Sequence, residues 1–344
     1  MSDLDRRAFL GALAGLPVYF RLKAEATQGA EATRGAEATR GAEATRGAEA
    51  TQGAEATPAF NSSARSFRLQ AEPQSPGGRI QVGYAAITWG GDDELAIREI
   101  AETGFKGIQL RATAFDKFGP RPAALKELLA KHGLAFPVLS SGNLKYAPED
   151  RGAQIALHLS HAQFVRDAGG QFLQVIDEKP KGRAVGPDDY RALAGMLRRI
   201  GERTAEIGVP LVYHHHMNST GEAPDAIAAI LQDLSANTVG LLFDIAHYQQ
   251  GGGDPVAFIK RYGKAIKVVH LKDVRPIDAA PGYQWVELGR GRVDVNGCVA
   301  ALKDAGFDGW AIVELDRVVD AGGSPKASAA ANREYVTTQL GLVL

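Results

Sequence analysis

The sequence predicts a closed (β/α)8 barrel of the α/β class over residues 79–344, preceded by a disordered N-terminal extension. Three observations predict it. From Arg79 onward, short apolar β-branched runs alternate with longer segments of helical period. Eight such runs occur, the number with which a barrel of this type closes. Helix candidates repeatedly stop at a glycine just before the next run, whereas no Gly-x-Gly-x-x-Gly follows the first run, which speaks against an open dinucleotide-binding sheet. The 344 residues suit one such domain plus an extension. A formal net charge of −1 supplies no basic field for a nucleic-acid backbone, so no nucleic-acid partner is expected. The single cysteine, Cys298, excludes an intrachain disulfide and a multi-cysteine metal site.

The extension divides in two. Residues 1–22 contain Arg6-Arg7 followed by the apolar run Ala8 to Phe20, and resemble a twin-arginine signal, which a translocase reads to export folded proteins to the periplasm. A chance arginine pair on a cytoplasmic protein is the alternative. The run is about thirteen residues, short of the roughly twenty that span a bilayer, so no stable membrane anchor is expected. Residues 23–78 read as a low-complexity spacer: Ala24 to Thr57 repeats Ala-Glu-Ala-Thr-Arg/Gln-Gly, with no large apolar side chain to offset the cost of ordering the backbone.

In chain order, the strand candidates are Ile80–Ile87, Gly107–Leu110, Ala135–Leu139, Phe172–Ile176, Pro210–Tyr213, Val239–Phe243, Ile266–Val269 and Trp310–Val313. Helical period marks Asp93–Thr103, Ala123–His132, Gln154–Ala168, Pro187–Ile207, Pro224–Leu234 and Val295–Ala305. Gly104, Gly133, Gly208 and Gly306 stand where a left-handed helix cap is wanted.

The last four strand candidates run into residues that bind hard or borderline metals. Tyr213 is followed by His214-His215-His216, Phe243 by Asp244, Val269 by His270 and Val313 by Glu314. The carboxyl ends of barrel strands open on one face, so these groups are expected to converge. Alternation along a strand puts His214 and His216 on one face and His215 on the other. His247, three residues beyond Asp244, and Lys272, two beyond His270, are placed to enter the same site. Glu178, after the fourth strand, reads equally as a ligand or as an exposed loop acid. Nitrogen and oxygen donors without thiolate suit a divalent ion, Mn, Mg, Co or Zn. His132, His158 and His161 fall on helix candidates and read as structural or solvated.

At these positions the chain resembles the sugar phosphate isomerase/epimerase family, which belongs with xylose isomerase and endonuclease IV. The resemblance runs from about Gln81 to Leu344 and rests on Tyr213-His214-His215-His216-Met217, Phe243-Asp244-Ile245-Ala246-His247, Val269-His270-Leu271-Lys272-Asp273, Leu288-Gly289-Arg290-Gly291-Arg292-Val293-Asp294 and Gly309-Trp310-Ala311-Ile312-Val313-Glu314. The His-His-His-Met and His-Leu-Lys-Asp-Val runs are similar to inosose dehydratases. The resemblance implies a xylose isomerase-like TIM barrel with Asp244, His270 and Glu314 as metal ligands. Many members carry a glutamate at the end of the fifth strand where this chain has His214, so the fourth ligand is His214 or Glu178.

The expected activity is metal-dependent isomerisation or epimerisation of a ketose or keto-sugar, by removal of a proton next to a carbonyl. Glu314, His214 or His216 would be the base, and Lys272 or His247 would steer oxygens or protonate a leaving hydroxyl. A lyase dehydrating a keto-inositol or keto-sugar is the alternative, and an endonuclease IV-like phosphodiesterase or a non-catalytic carbohydrate-binding barrel is more remote. The expected partner is a small-molecule sugar or cyclitol, and a homo-oligomer is compatible with the sequence.

Overall fold

In the computed structural model, residues 78–235 and 238–344 are described. The twin-arginine and spacer readings, and with them the periplasmic expectation, lie outside the described residues.

The barrel strands are β1 (Ile80–Ala85), β2 (Gly107–Arg111), β3 (Ala135–Leu144), β4 (Phe172–Asp177), β5 (Leu211–His214), β6 (Val239–Asp244), β7 (Ile266–Leu271) and β10 (Gly309–Val313). They close in the order β1-β10-β7-β6-β5-β4-β3-β2, every neighbouring pair parallel. Two further strands, β8 (Asp273–Pro276) and β9 (Tyr283–Val286), form an antiparallel hairpin directly after β7.

Around the barrel run α1 (Asp93–Glu102), α2 (Ala112–Phe118), α3 (Pro122–Lys131), α4 (Arg151–Asp167), α5 (Pro187–Glu206), α6 (Pro224–Gln232), α7 (Ile245–Gln250), α8 (Pro255–Tyr262), α9 (Val295–Asp304) and α10 (Pro325–Thr338). Their starts follow from capping chemistry. Asp92, Asp254, Asp294 and Ser324 each accept a backbone N–H of the first turn, and proline opens α8 and α10, where its missing N–H costs nothing. Among the described residues, no helix is long and apolar enough to cross a membrane.

Two apolar layers hold the fold. The larger lies between sheet and helices, with Ile97, Ile108, Leu125, Leu197, Leu241 and Leu302 fully buried. The smaller fills the barrel with Val138, Val212, Leu242, Val268, Trp310 and Ile312. Trp310 fits there because Gly107 has no side chain, since a Cβ at that position would stand 2.3 Å from the indole. The filled interior leaves the carboxyl ends of the strands as the open face.

The eight strand readings hold, with one systematic shift. β4, β5, β6 and β7 extend past the apolar run, so that Asp177, His214, Asp244 and His270 belong to the strands. Backbone pairing at these ends fixes the directions of the side chains that follow.

Candidate metal centre

His214 ends β5, Asp244 ends β6, His270 lies one residue before the end of β7, and Glu314 follows β10. One donor atom from each lies within 4.8 Å of the other three, and all four side chains are buried. Asp244 and His270 are register partners, as are His270 and Ile312, which brings the three neighbouring strand ends level.

Hydrogen bonds fix which atom Asp244, His270 and Glu314 offer. His270 Nε2 donates to Gln109 Oε1 at 2.8 Å, so its Nδ1 lone pair faces inward. That Nδ1 lies 3.5 Å from Asp244 Oδ2 and 3.6 Å from Glu314 Oε2. Asp244 Oδ1 is occupied, accepting from the backbone N–H groups of Ala246 and His247, which leaves Oδ2 free. Glu314 Oε1 accepts from Lys272 Nζ at 2.9 Å, which leaves Oε2 free.

Three acceptors therefore face one another, and Asp244 Oδ2, His270 Nδ1 and His214 Nδ1 are buried without any hydrogen-bond partner. Such orphans cost about 1–3 kcal/mol each if left unmet. The separations exceed a charge-assisted hydrogen bond of about 2.7–2.9 Å. They lie just beyond the about 3.0–3.4 Å that separates donors about 2.1 Å from one ion at angles of 90–109°, so a shift of a few tenths of an ångström brings them to ligand spacing. The four residues thus fit a divalent metal.

Electrostatics agree with that fit. Burial raises the pKa of both carboxyls, but His270 and the Lys272 ammonium outweigh it and hold Asp244 and Glu314 below the usual carboxylate range. Burial, with the Lys272 ammonium adding to it, pushes His214 well below its ordinary value, so it stays a neutral ligand type. Lys272 is fully buried; burial lowers its pKa, but Asp316, Glu314 and Asp244 raise it further and keep the ammonium charged. Asp244, Glu314 and Asp316 set against this one ammonium leave a charge deficit that a doubly positive ion balances.

A second group, His214, His216 and His247, also clusters within 4.8 Å. Its tautomers disfavour a metal. The backbone N–H of Met217 donates to His247 Nδ1 at 3.1 Å, so the proton of the neutral ring sits on Nε2 and occupies the atom facing inward. His216 is the reverse: Nδ1 donates to the carbonyl of Met217 at 2.7 Å and Nε2 keeps its lone pair. The two rings lie 3.8 Å apart between centroids, tilted by 40°, one presenting a donor and the other an acceptor. His215 turns away, accepting the Asp244 N–H at Nε2 and packing against Phe243 and Tyr248.

Glu178 needs correction as a candidate ligand. β4 ends at Asp177, so alternation does not carry over to the next residue, and Glu178 turns out to pair with Lys181 at 3.5 Å. Asp177 instead accepts from Tyr213 and from the Thr220 N–H, bracing the loop after β5. The expectation for Lys272 also changes, because its ammonium is held between Glu314 and Asp316 under the Trp285 ring. Sequence reasoning missed Gln109, Asp316 and Trp285. A glutamine at an inward position of β2 and the i, i+2 spacing of Glu314 and Asp316 were signals for the first two.

A cavity of about 320 Å³ opens beside the four donors, lined by Gln109, Ser140, Asn143, Gln174, His216 and Asp316 among others. A larger one, about 800 Å³, lies at the other end of the barrel around Arg79, Lys106 and Trp310. It has no acidic or imidazole side chain in its lining, so the smaller cavity is the one with chemistry.

The chain is 28% identical over 277 residues to an inosose dehydratase of Lacticaseibacillus casei, covering 69% of this chain and 90% of the relative. It is 29% identical over 277 residues to the rhizopine catabolism protein MocC of Rhizobium meliloti, covering 69% and 82%. Among solved structures it superposes on the IOLI protein with a binding zinc atom, with a TM-score of 0.65 at 16% identity over 76% of this chain and 98% of that one. It also superposes on an L-ribulose 3-epimerase, with a TM-score of 0.61 at 17% identity over 76% and 95%. Likeness at that identity is a likeness of fold. The Lacticaseibacillus casei relative and others of Clostridium and Geobacillus are named inosose dehydratases, and this overturns isomerisation or epimerisation as the leading expectation in favour of the lyase alternative. The description "xylose isomerase-like TIM barrel" matches residues 97–338, which include all four clustered donors and seven of the eight barrel strands, and the chain belongs to that family of enzymes.

Proposed function

We propose that this enzyme is a divalent-metal-dependent hydro-lyase that removes water from a keto-inositol or a closely related keto-sugar. The observation that carries the reading is the convergence of Asp244 Oδ2, His270 Nδ1 and Glu314 Oε2 with no proton donor between them. His214, Asp244, His270 and Glu314 would hold the ion. When bound, the ion supplies a Lewis acid that makes the carbon next to a carbonyl acidic.

The proton work falls to the chain's own side chains. Glu314 is unsuited to it, because Oε1 is held by Lys272 and Oε2 faces His270. His216 Nε2 has a lone pair, borders the cavity and is held in that tautomer by the carbonyl of Met217. It takes the proton from carbon and returns it to the departing β-hydroxyl, so the C–H and C–O bonds break, a C=C bond forms, and water leaves. His216 ends as it began. His247 is buried outside the cavity lining, and its Nε2–H, fixed by the Met217 N–H at the other nitrogen, faces Asp244 Oδ2 at 3.9 Å. Lys272 acts on the substrate only through Glu314 and Asp316, keeping both carboxylates charged and in place. Trp285, 4.5 Å from the His247 ring, covers this side and excludes water.

The test is incubation of the purified chain with a keto-inositol and Mn²⁺, Co²⁺, Mg²⁺ or Zn²⁺, followed by NMR. The expected result is an unsaturated or rearranged product one water lighter, absent in Asp244→Asn. Hydrogen exchange or epimer formation without loss of water would refute the lyase reading.

A further inference from the structure

β4 places Phe172, Gln174 and Ile176 on the inner face of the barrel, level with Ser140 of β3 and Val212 of β5 at the Gln174 position. The neighbouring inward positions are apolar: Val138, Val212, Leu242, Val268 and Ile312. Gln174 is 1% exposed, and its Oε1 is buried without a hydrogen-bond partner while the side chain lines the 320 Å³ cavity. A buried amide of this kind destabilises the folded chain relative to an apolar residue of the same size. Gln109, the other inward amide, is accounted for by His270. Gln174 is not accounted for by any contact within the protein.

The lining around it narrows what could satisfy it. Ser140 and Asn143 are neutral, Arg111 is the one cation in the lining, and Glu314 and Asp316 supply two carboxylates. Ser140, Asn143 and Gln174 itself offer neutral donors and acceptors, which suit the hydroxyls of an uncharged ring. We propose that Gln174 is a binding residue that accepts a hydrogen bond from one hydroxyl of an uncharged polyol substrate, and so sets which cyclitol or keto-sugar is taken. This rests on the dehydratase reading for its substrate class, but its geometry belongs to Gln174 alone. Because the hydroxyl is held before and during reaction alike, the contact affects binding and leaves the chemical step unchanged.

The experiment compares the Mn²⁺-loaded wild type with Gln174→Met, which keeps the volume and removes the amide, and with Gln174→Leu as a second apolar variant. The expected result is a KM raised about 10- to 100-fold with kcat within about threefold, and a Tm equal to or above that of the wild type. A series of keto-inositols each lacking one hydroxyl should contain one for which wild type and Gln174→Met have the same KM. A KM within about twofold of wild type in both variants, or a series in which no deoxy analogue removes the difference, overturns the proposal. If the wild type binds keto-inositol without dehydrating it, the reaction assignment fails separately. Calorimetric titration with myo-inositol then decides for Gln174: weaker binding in Gln174→Met upholds its role, and equal binding, or none to the wild type, overturns it.

Discussion

Three of the four donors in the candidate metal centre have one atom tied down and one left free. Asp244 Oδ1 caps the turn into α7, His270 Nε2 is held by Gln109, and Glu314 Oε1 is held by Lys272. These tethers make the free atoms converge before any ion arrives, which lowers the entropy cost of binding it. Gln109→Leu, which removes a tether but no ligand, should weaken metal binding by about 10- to 100-fold, measured by competition against a chelating dye. Glu178→Ala should change it less than twofold, because the pair with Lys181 is at the surface. The four clustered donors stood out in the sequence because each directly follows an apolar run. Gln109 was not, because its partner lies 161 residues away and only barrel closure brings them together.

At the scale of elements, two buried arrangements support the site from behind. Asp273 opens the β8–β9 hairpin and accepts from the N–H groups of Val274, Gly289, Gly291 and Val293. The loop comes this close because position 291 is glycine; a Cβ there would sit 2.1 Å from Asp273 Oδ1. Asp273→Ala should cost about 3 kcal/mol in urea unfolding and speed hydrogen exchange at residues 289, 291 and 293, since several amides lose their acceptor together.

On the opposite side, Ser141 Oγ bridges His158 Nδ1 and His161 Nδ1 of α4 at 2.6 and 2.7 Å. Burial pushes His158 down to about 3, aided by His161, and burial pushes His161 down to about 4 against the Ser141 hydrogen bond. In the unfolded chain both titrate near 6.5, so below that pH the unfolded state binds more protons. Stability should therefore be flat with respect to these groups above pH 6.5. It should fall by about 1.4 kcal/mol per pH unit for each as pH drops toward 4. Thermal melts from pH 8 to 4.5 check this, and the slope should be reduced in His158→Leu. The helical period had marked both histidines as non-catalytic, whereas the Asp273 hub was invisible, because the Gly-Arg-Gly-Arg run carries no apolar period from which to read a loop's shape.

Over the whole molecule, the barrel was legible because eight strand candidates alternate with helical segments, four of which stop at a glycine, and the carboxyl ends of the strands then assigned one face to the chemistry. What was not legible follows from where regular structure stops. Glu178 read equally as a ligand or a loop acid, because it stands just past β4, which ends at Asp177, where alternation no longer assigns a face. The short hairpin of β8 and β9 has too few residues for a period. The choice between dehydration and isomerisation was not legible, because both readings begin with removal of a proton next to a carbonyl and part only afterwards. The ion would join four strand ends drawn from β5, β6, β7 and β10, so its binding is linked to unfolding of the barrel as a unit. Adding metal at about 100 times Kd should stabilise the chain by about 2.7 kcal/mol, a rise in Tm of roughly 5–10 °C, and chelator should reverse it.

The most direct test is anomalous diffraction from crystals grown with Mn²⁺. The account predicts one strong peak about 2.0–2.3 Å from His214, Asp244 Oδ2, His270 Nδ1 and Glu314 Oε2. A map with no peak among those four atoms, or with the only peak elsewhere, would contradict it.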